Sequence, residues 1–392
     1  MPQGESFWNP YRWVPASEEP IARNAPSYRH EFAGISGRFD CTLEALTPLL
    51  VGDGKEPARF VGLAEYIRNP RGGSLPTVPG TSLKGAIRSL AELVGNAATP
   101  LEGRLIDHEH QSDNAQSTER GSWQLDVVAR TFGYMGRGRD ARHFAGLVNF
   151  SDAPMVESPL DPRKWPDYKV ASGRPKPDHR AFYPTNKARK FYHHRPGALD
   201  LARPPGEIPR GYRGTKHVVP ASPGTTFHFR VDFENLRSED LSLLTYCLVL
   251  EDRVEVTLSA SALGSEEPES FTLRGPLRHK LGGAKPLGGG SVHIRADRLD
   301  LREDHAAFYR GRRETALTLE GEPLRKKLNE LIAPHVGRHD TTMTHLRAML
   351  IYAEGDPRAA DLRYPSKWWF DENGNVPLKP VLGDNSSDAA RD

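Results

Sequence analysis

Five glycines stand within nine residues at positions 282–290, inside the stretch Leu277-Arg278-His279-Lys280-Leu281-Gly282-Gly283-Ala284-Lys285-Pro286-Leu287-Gly288-Gly289-Gly290-Ser291-Val292. Arg278, Lys280 and Lys285 add three cations and His279 an imidazole. Glycine permits positive φ and lets backbone N–H groups approach an anion closely, so the composition suits phosphate. A glycine-rich hairpin accounts for part of the same pattern. A second candidate is Val78-Pro79-Gly80-Thr81-Ser82-Leu83-Lys84-Gly85-Ala86-Ile87-Arg88. Here a Pro-Gly turn feeds a helix whose first turn carries two hydroxyls, with Lys84 and Arg88 one turn apart on a shared face. A helix N-terminus beside cations is a ready anion site. An ordinary capped helix with two solvated bases fits these residues too, and the GxxxxGK[ST] spacing of a Walker loop is absent. A third segment, Gly136-Arg137-Gly138-Arg139-Asp140-Ala141-Arg142-His143, follows Phe132-Gly133 and reads as a basic loop or a flexible linker.

Other clusters carry less. Asp107-His108-Glu109-His110 has metal-binding side chains, but without a further ligand at suitable spacing it reads as a polar loop. His193 and His194 have the chemistry of general acids and bases, yet adjacent side chains on an extended segment point to opposite faces and would not act as a pair. Cys41 and Cys247 are the only cysteines, so a four-thiolate zinc site and a disulfide framework are excluded, and a reducing cytoplasm is the expected compartment. No run of 18 apolar residues is present to span a bilayer, and the first residues lack the basic start and apolar core of a signal peptide.

The 392 residues include 53 Lys+Arg and 51 Asp+Glu, so net charge alone implies no polyanionic partner. The 36 Gly and 33 Pro favour a loop-rich chain over a helical bundle or coiled coil. Charge is uneven, however. Residues 172–217 carry a net +8, including Lys187, Arg189 and Lys190, against −6 in the remainder. The same window holds Phe182, Tyr183, Phe191, Tyr192 and Tyr212 and shows neither helical nor strand periodicity. It is expected to be a long extended insertion. Interleaved basic and aromatic residues suit a phosphate backbone and unstacked bases; a solvated basic loop is the plainer account.

The elements that would position these segments follow from periodicity. Arg38–Leu46, Gly146–Phe150, Thr226–Phe233 and Ser291–Leu301 read as strands. Thr81–Val94 and Ser238–Glu251 read as amphipathic helices, the first capped by Gly80-Thr81-Ser82 and stopped by Gly95. The order β-α-β…β-α-β is that of an α+β protein with a ferredoxin-like or RRM-type core, an antiparallel sheet with helices on one face and the other open to a ligand. The expected organisation is an N-terminal extension (1–37), a core (38–301) interrupted at about 96–145 and 155–223, a small C-terminal helical region (302–383) and a disordered tail (384–392).

Taken in order, VPGTSLKGAIRS, the Phe132-Gly133 followed by GLVNFSDAP, and KLGGAKPLGGGSVHI resemble the RAMP (repeat-associated mysterious protein) superfamily of CRISPR systems. The start resembles one subfamily through Asn9-Pro10-Tyr11-Arg12-Trp13-Val14-Pro15, as does the His-containing HEFAGISGRFDCTLEALTPLLVGDG that leads into the first core strand. The resemblance spans roughly residues 9–301, with Tyr364-Pro365-Ser366 as a weaker match.

The resemblance implies a guide-RNA-binding backbone subunit of a type III-like RNA-targeting ribonucleoprotein for antiviral defence. Its implied partners are CRISPR guide RNA, target RNA, other RAMP subunits and the large type III subunit, with no membrane. The implied RNA contacts are Ser82, Lys84 and Arg88 at the helix start; Arg137 and Arg139; Lys187, Arg189 and Lys190 in the basic insertion; and Arg278, Lys280, Gly282, Gly283, Lys285, Gly288, Gly289 and Gly290 in the glycine loop. No cofactor is required for binding. Two enzymatic alternatives stay open. Cleaving relatives use an acid and a divalent metal, but the matching position here falls at Leu63 or Ala64. Asp53 and Glu65 are then the catalytic candidates of a Mg²⁺-dependent endoribonuclease acting on guide-paired target RNA. The other alternative is metal-independent processing of guide RNA by histidine.

Overall fold

Alternating apolar and polar residues build the centre of the structure. It is a computed structural model that describes residues 7–31, 33–52, 59–61, 64–69, 73–97, 115–119, 122–135, 143–171, 181–182, 188–197, 215–260, 262, 269–302, 316–365 and 367–378. Strand β1 (Tyr11–Pro15) precedes β2 (Ile35–Ala45), β3 (Gly73–Val78) and helix α1 (Gly80–Val94). Helix α2 (Val127–Phe132), β4 (Val148–Phe150), β5 (Ala153–Glu157) and β6 (Ala188–Tyr192) follow. Then come β7 (Thr226–Leu236), α3 (Ser238–Val249), β8 (Val254–Ala260), β9 (Glu269–Gly275), β10 (His279–Lys280) and β11 (Ser291–Arg302). Strand β12 (Ala316–Glu320) and helices α4 (Gly321–Val336) and α5 (Thr341–Leu350) complete the labelled elements.

The main sheet runs β10-β11-β2-β7-β5-β3 and on to the strand Ala64–Asn69, with β4 also on β7 and β12 also on β11. Every pairing in it is antiparallel, and with its helices the protein is α+β. Side chains alternate between the faces of a strand. Phe39, Cys41, Leu43 and Ala45 of β2 therefore face the same side as Phe227, Phe229, Val231 and Phe233 of β7 and Val292, Ile294 and Leu299 of β11. Helices α1 and α3 cover that side with Leu83, Ile87, Leu90, Leu241, Leu244 and Leu248. Each buried phenylalanine contributes about 2 kcal/mol from removal of apolar area from water. The opposite face carries Arg38, Asp40, Thr42, Glu44, His228, Arg230, Asp232, Arg295 and Asp300.

Two buried ionic groups tie the helices together. Arg130 of α2 makes a two-pronged pair with Asp240 of α3, at 2.5 and 3.0 Å. Glu251 accepts from Tyr246 OH at 2.6 Å and from Arg347 Nε at 2.9 Å. Arg347 also donates to the Val336 and Arg338 carbonyls, which closes the C-terminus of α4.

Two local expectations change. Residues 172–217 are not uniformly irregular: β6 pairs with β1, register Tyr11↔Tyr192 to Pro15↔Ala188, and Thr215–Val219 pairs with Tyr168–Ala171 and, in parallel, with Arg59–Val61. The partner strands are far away in sequence, so no local pattern announces them. Helix α1 is also capped from outside. Its cap residue is Pro79, with no side-chain cap of its own. Asp152 Oδ1 accepts the Gly80 N–H at 2.8 Å instead.

Candidate nucleic-acid interface

The glycine loop closes on the chain that leaves β2. Gly283 N–H donates to Leu50 O at 2.7 Å and Gly290 N–H to Pro48 O at 2.9 Å. Gly288 and Gly289 donate to Lys285 O and Ala284 O. At Gly282 φ is +76°, and an added Cβ would lie 2.0 Å from Leu50 O, so only glycine lets the loop lie against that backbone. Lys280 turns inward: its buried Nζ donates to Gly288 O at 3.0 Å and Gly289 O at 2.9 Å. Burial pushes its pKa well below the usual lysine range. This corrects the phosphate reading for these groups. Four of the five glycine N–H groups are occupied by the protein's own carbonyls, and Lys280 braces the loop from inside.

Histidines complete the brace. His194 joins Ser291 Oγ at 2.8 Å and Arg278 O at 2.9 Å. His279 Nε2 lies 2.8 Å from Cys247 O, and burial lowers its pKa to about 4. His193 faces Arg358 at 3.5 Å, and burial followed by the Arg358 and Arg12 charges pushes its pKa well down. The two adjacent histidines are thus buried with separate partners, as the opposite-face argument expects. Arg278, mostly buried, pairs with Asp252 and with its neighbouring carbonyl. Lys285 is half-buried in the short 3₁₀ turn of the loop.

The helix start makes a different environment. Lys84 Nζ is half-buried, donates to Val148 O at 3.1 Å and meets no carboxylate among the described residues. Its pKa is lowered by burial and then by the Arg88 and Arg29 charges. Arg88 donates to Glu92 at 2.9 Å and to Gly133 O at 3.0 Å. Arg29 donates to Glu234 at 2.6 Å and to Gly146 O at 2.8 Å. These cations gather at the root of a hairpin formed by Gly133–Met135 and His143–Ala145. The connecting residues 136–142, including Arg137 and Arg139, lie outside the described residues, as do Asp53, Lys187 and the Asp107–His110 cluster. Ser82 is half-buried at the helix tip, and its N–H is taken by Pro79 O. With Asp152 on the Gly80 N–H, the first-turn donors are largely committed, so the positive feature here is the lysine–arginine cluster rather than the helix end.

Arg189 joins the buried Glu92 from the opposite side to Arg88 and donates to Ser89 Oγ at 2.7 Å. Lys190 Nζ sits 3.7 Å from the centre of the Tyr11 ring. Arg189 therefore helps fasten the β1–β6 ribbon to α1, while Lys190 holds the two strands of the ribbon together. Glu65 lies on the strand Ala64–Asn69, in register with Pro76. No group of three or more metal-binding side chains occurs among the described residues.

The open sheet face is balanced in charge. Arg38 pairs with Asp232 at 2.6 Å, Arg295 with Asp297 at 2.7 Å and Arg298 with Asp300 at 3.0 Å. Its outward positions on β2, β7 and β11 carry no Phe, Tyr or Trp. The glycine loop and the helix start are also not adjacent. The loop caps the β2–β11 end, whereas Gly80 follows the Val78↔Ala153 pairing at the far side of β7. Strand spacing and rise put them roughly 20 Å apart. Sequence reasoning missed Arg29, Glu92 and Asp152; each depends on a distant chain segment, and no local spacing marks them.

A family model described as the RAMP superfamily matches residues 42–293. Curated proteins give no match. Among solved structures, the crystal structure of Thermofilum pendens Csc2 aligns at 15% identity with a TM-score of 0.33, covering 82% of this chain and 85% of that one. No helix among the described residues is long and apolar enough to cross a membrane.

Proposed function

The chain belongs to the RAMP superfamily, and from that premise we propose that it is a guide-RNA-binding subunit of a type III-like CRISPR ribonucleoprotein directed against RNA. The strand order β11-β2-β7 followed by β4 and β5, with α1 and α3 on one face, supports a ferredoxin-like core of the RRM type. The observation that carries the reading is the cluster of Lys84, Arg88 and Arg29 at the root of the Gly133–Ala145 hairpin. The Lys84 ammonium is held by a backbone carbonyl and left without an acidic partner among the described residues. A cation held in place but not neutralised attracts a phosphate without reorganising. The balanced, non-aromatic sheet face favours grip on the sugar–phosphate chain over base stacking on the sheet. The partners proposed with it are guide RNA, target RNA and further subunits of the same complex.

The test is RNA binding across a salt series. Wild-type protein should bind single-stranded RNA of any sequence with a log K against log[salt] plot of negative slope. Lys84→Ala should weaken binding uniformly and flatten the slope by about 0.7, the loss of one single-strand phosphate contact. An unchanged slope would refute the assignment. Incubation with complementary RNA and Mg²⁺ asks separately about cleavage: cuts lost in Asp53→Ala or Glu65→Ala would add endoribonuclease activity.

A further inference from the structure

The stretch HEFAGISG begins with His30, which the cation cluster described above leaves unused. His30 stands in a turn of residues 28–31. The Glu31 N–H donates to Tyr28 O at 3.1 Å, and the Glu31 carboxylate accepts the Tyr28 N–H at 3.1 Å. Buried Asn235 of β7 clamps this turn: its Nδ2 donates to Tyr28 O at 2.6 Å and its Oδ1 accepts the Gly34 N–H. The His30 ring stacks on the Tyr28 ring, with centroids 5.7 Å apart and 27° between the planes. Tyr28 in turn rests against Phe144 of the hairpin at 6.1 Å. Tyr28 and Phe144 are half-buried, His30 is exposed, and neither of its ring nitrogens has a hydrogen-bond partner among the described residues. The column of rings thus ends at solvent on a histidine carried by a fixed turn. The same turn reaches the cations. Arg29, between the two stacked residues in sequence, donates to Gly146 O at 2.8 Å, and Lys84 donates to Val148 O at 3.1 Å. Those carbonyls are two residues apart, so they lie within about 7 Å of each other. The Arg29 charge accordingly acts on Lys84. Of the acids on this side, Glu234 is taken by Arg29 and Glu31 by the Tyr28 N–H; neither pairs with Lys84.

We propose that the Phe144–Tyr28–His30 column carries one unpaired nucleobase of the bound RNA, stacked on the outer face of His30, while Lys84 holds the phosphate of the same or the neighbouring nucleotide. A ring beside a cation offers both things a single strand presents, a base with an open π-face and a phosphate next to it. Paired bases are stacked within their own duplex, so this arrangement selects single-stranded RNA. The clamp by Asn235 holds the ring in place before RNA arrives, which lowers the ordering cost of binding. An aromatic side chain of a neighbouring subunit would fit the ring as well, but it brings no phosphate for Lys84. The inference rests on the RNA-binding reading above and adds to it the place of a base and the class of strand.

Two short oligomers with identical ribose–phosphate chains test it, an oligoadenylate and its fully abasic counterpart. Wild-type protein should bind the base-bearing chain about tenfold tighter. His30→Ala should weaken oligoadenylate binding until the two affinities agree within about twofold. The side chain is exposed, so thermal stability should hold. His30→Phe keeps a flat ring and should keep the preference for the base-bearing chain. The loss in His30→Ala should come without a change in the slope of log K against log[salt], because stacking releases no counterion, whereas Lys84→Ala flattens that slope by about 0.7. Pairing the oligoadenylate with oligouridylate should abolish the difference between wild type and His30→Ala. Equal wild-type affinity for both single strands, or a full base preference in His30→Ala, would overturn the stacking site while leaving the phosphate contact at Lys84 intact. A His30→Phe protein as weak as His30→Ala, with a flattened salt slope in both, would make His30 a charge contact and overturn the stacking site too. Failure of both oligomers to bind would remove the RNA reading and this inference together.

Discussion

Acid should loosen the glycine loop, and His279 gives the size of the effect. Its ring is fully buried, its Nε2 is bonded to Cys247 O, and its pKa falls to about 4. An unfolded histidine titrates near 6.5. Below pH 6.5 the unfolded chain therefore binds a proton that the native state refuses. Stability that is complete above pH 6.5 is lost as pH falls toward 4. The slope is about 1.4 kcal/mol per pH unit for each such group, so His279 costs ~2 kcal/mol at pH 5. His193 and His194 are buried beside the same loop, and their pKa values are lowered in the same direction. Against a total stability of 5–15 kcal/mol such terms matter. Between pH 6.5 and 5 carboxylates of ordinary or lowered pKa stay ionised in both states, so the slope there comes from histidines; His293 and His335, each lowered to about 4 chiefly by burial, add to it, and the difference between wild type and variant isolates His279. The assay is urea unfolding followed by tryptophan fluorescence at closely spaced pH values. His279→Asn keeps a donor for Cys247 O but cannot titrate. It should lose stability at pH 7 from imperfect packing, yet its pH slope should be shallower by about 1.4 kcal/mol per unit. An identical slope in the variant, or a wild-type slope below that of one proton, would refute the reasoning.

Two further outcomes concern stability. Gly85 lies inside α1 with nothing within 4 Å of the position a Cβ would take; Gly85→Ala should raise unfolding free energy by roughly 0.5–1 kcal/mol in the same assay, and a loss would show that the open space is needed for packing. Arg130→Met leaves Asp240 buried without its partner and should cost about 3–5 kcal/mol, whereas Arg130→Met with Asp240→Leu should recover most of it; a double variant as unstable as the single would contradict the paired account.

The residues that alternate or recur locally told their own story. Phe227, Phe229, Val231 and Phe233 face one side whatever β7 pairs with, because successive strand side chains point to opposite faces. Leu83, Ile87, Leu90 and Val94 form one stripe of α1 for the equivalent helical reason. The α+β class, the principal strands and helices and the membership of the RAMP superfamily were accordingly legible from the order of these segments and their motifs.

What each polar group does was settled by partners brought in from afar. The composition of the glycine loop fits an anion cradle and a self-closing loop equally. Only the arrival of Pro48–Leu50 commits its N–H groups inward, and only the Gly288 and Gly289 carbonyls turn Lys280 from a surface base into a brace. Asp152 takes the helix cap from Ser82, Glu92 gathers Arg88 and Arg189, and β1 recruits β6 across some 170 residues. A hydrogen bond is decided by which donor and acceptor meet within about 3 Å, and sequence spacing fixes that distance only within a few residues along the chain.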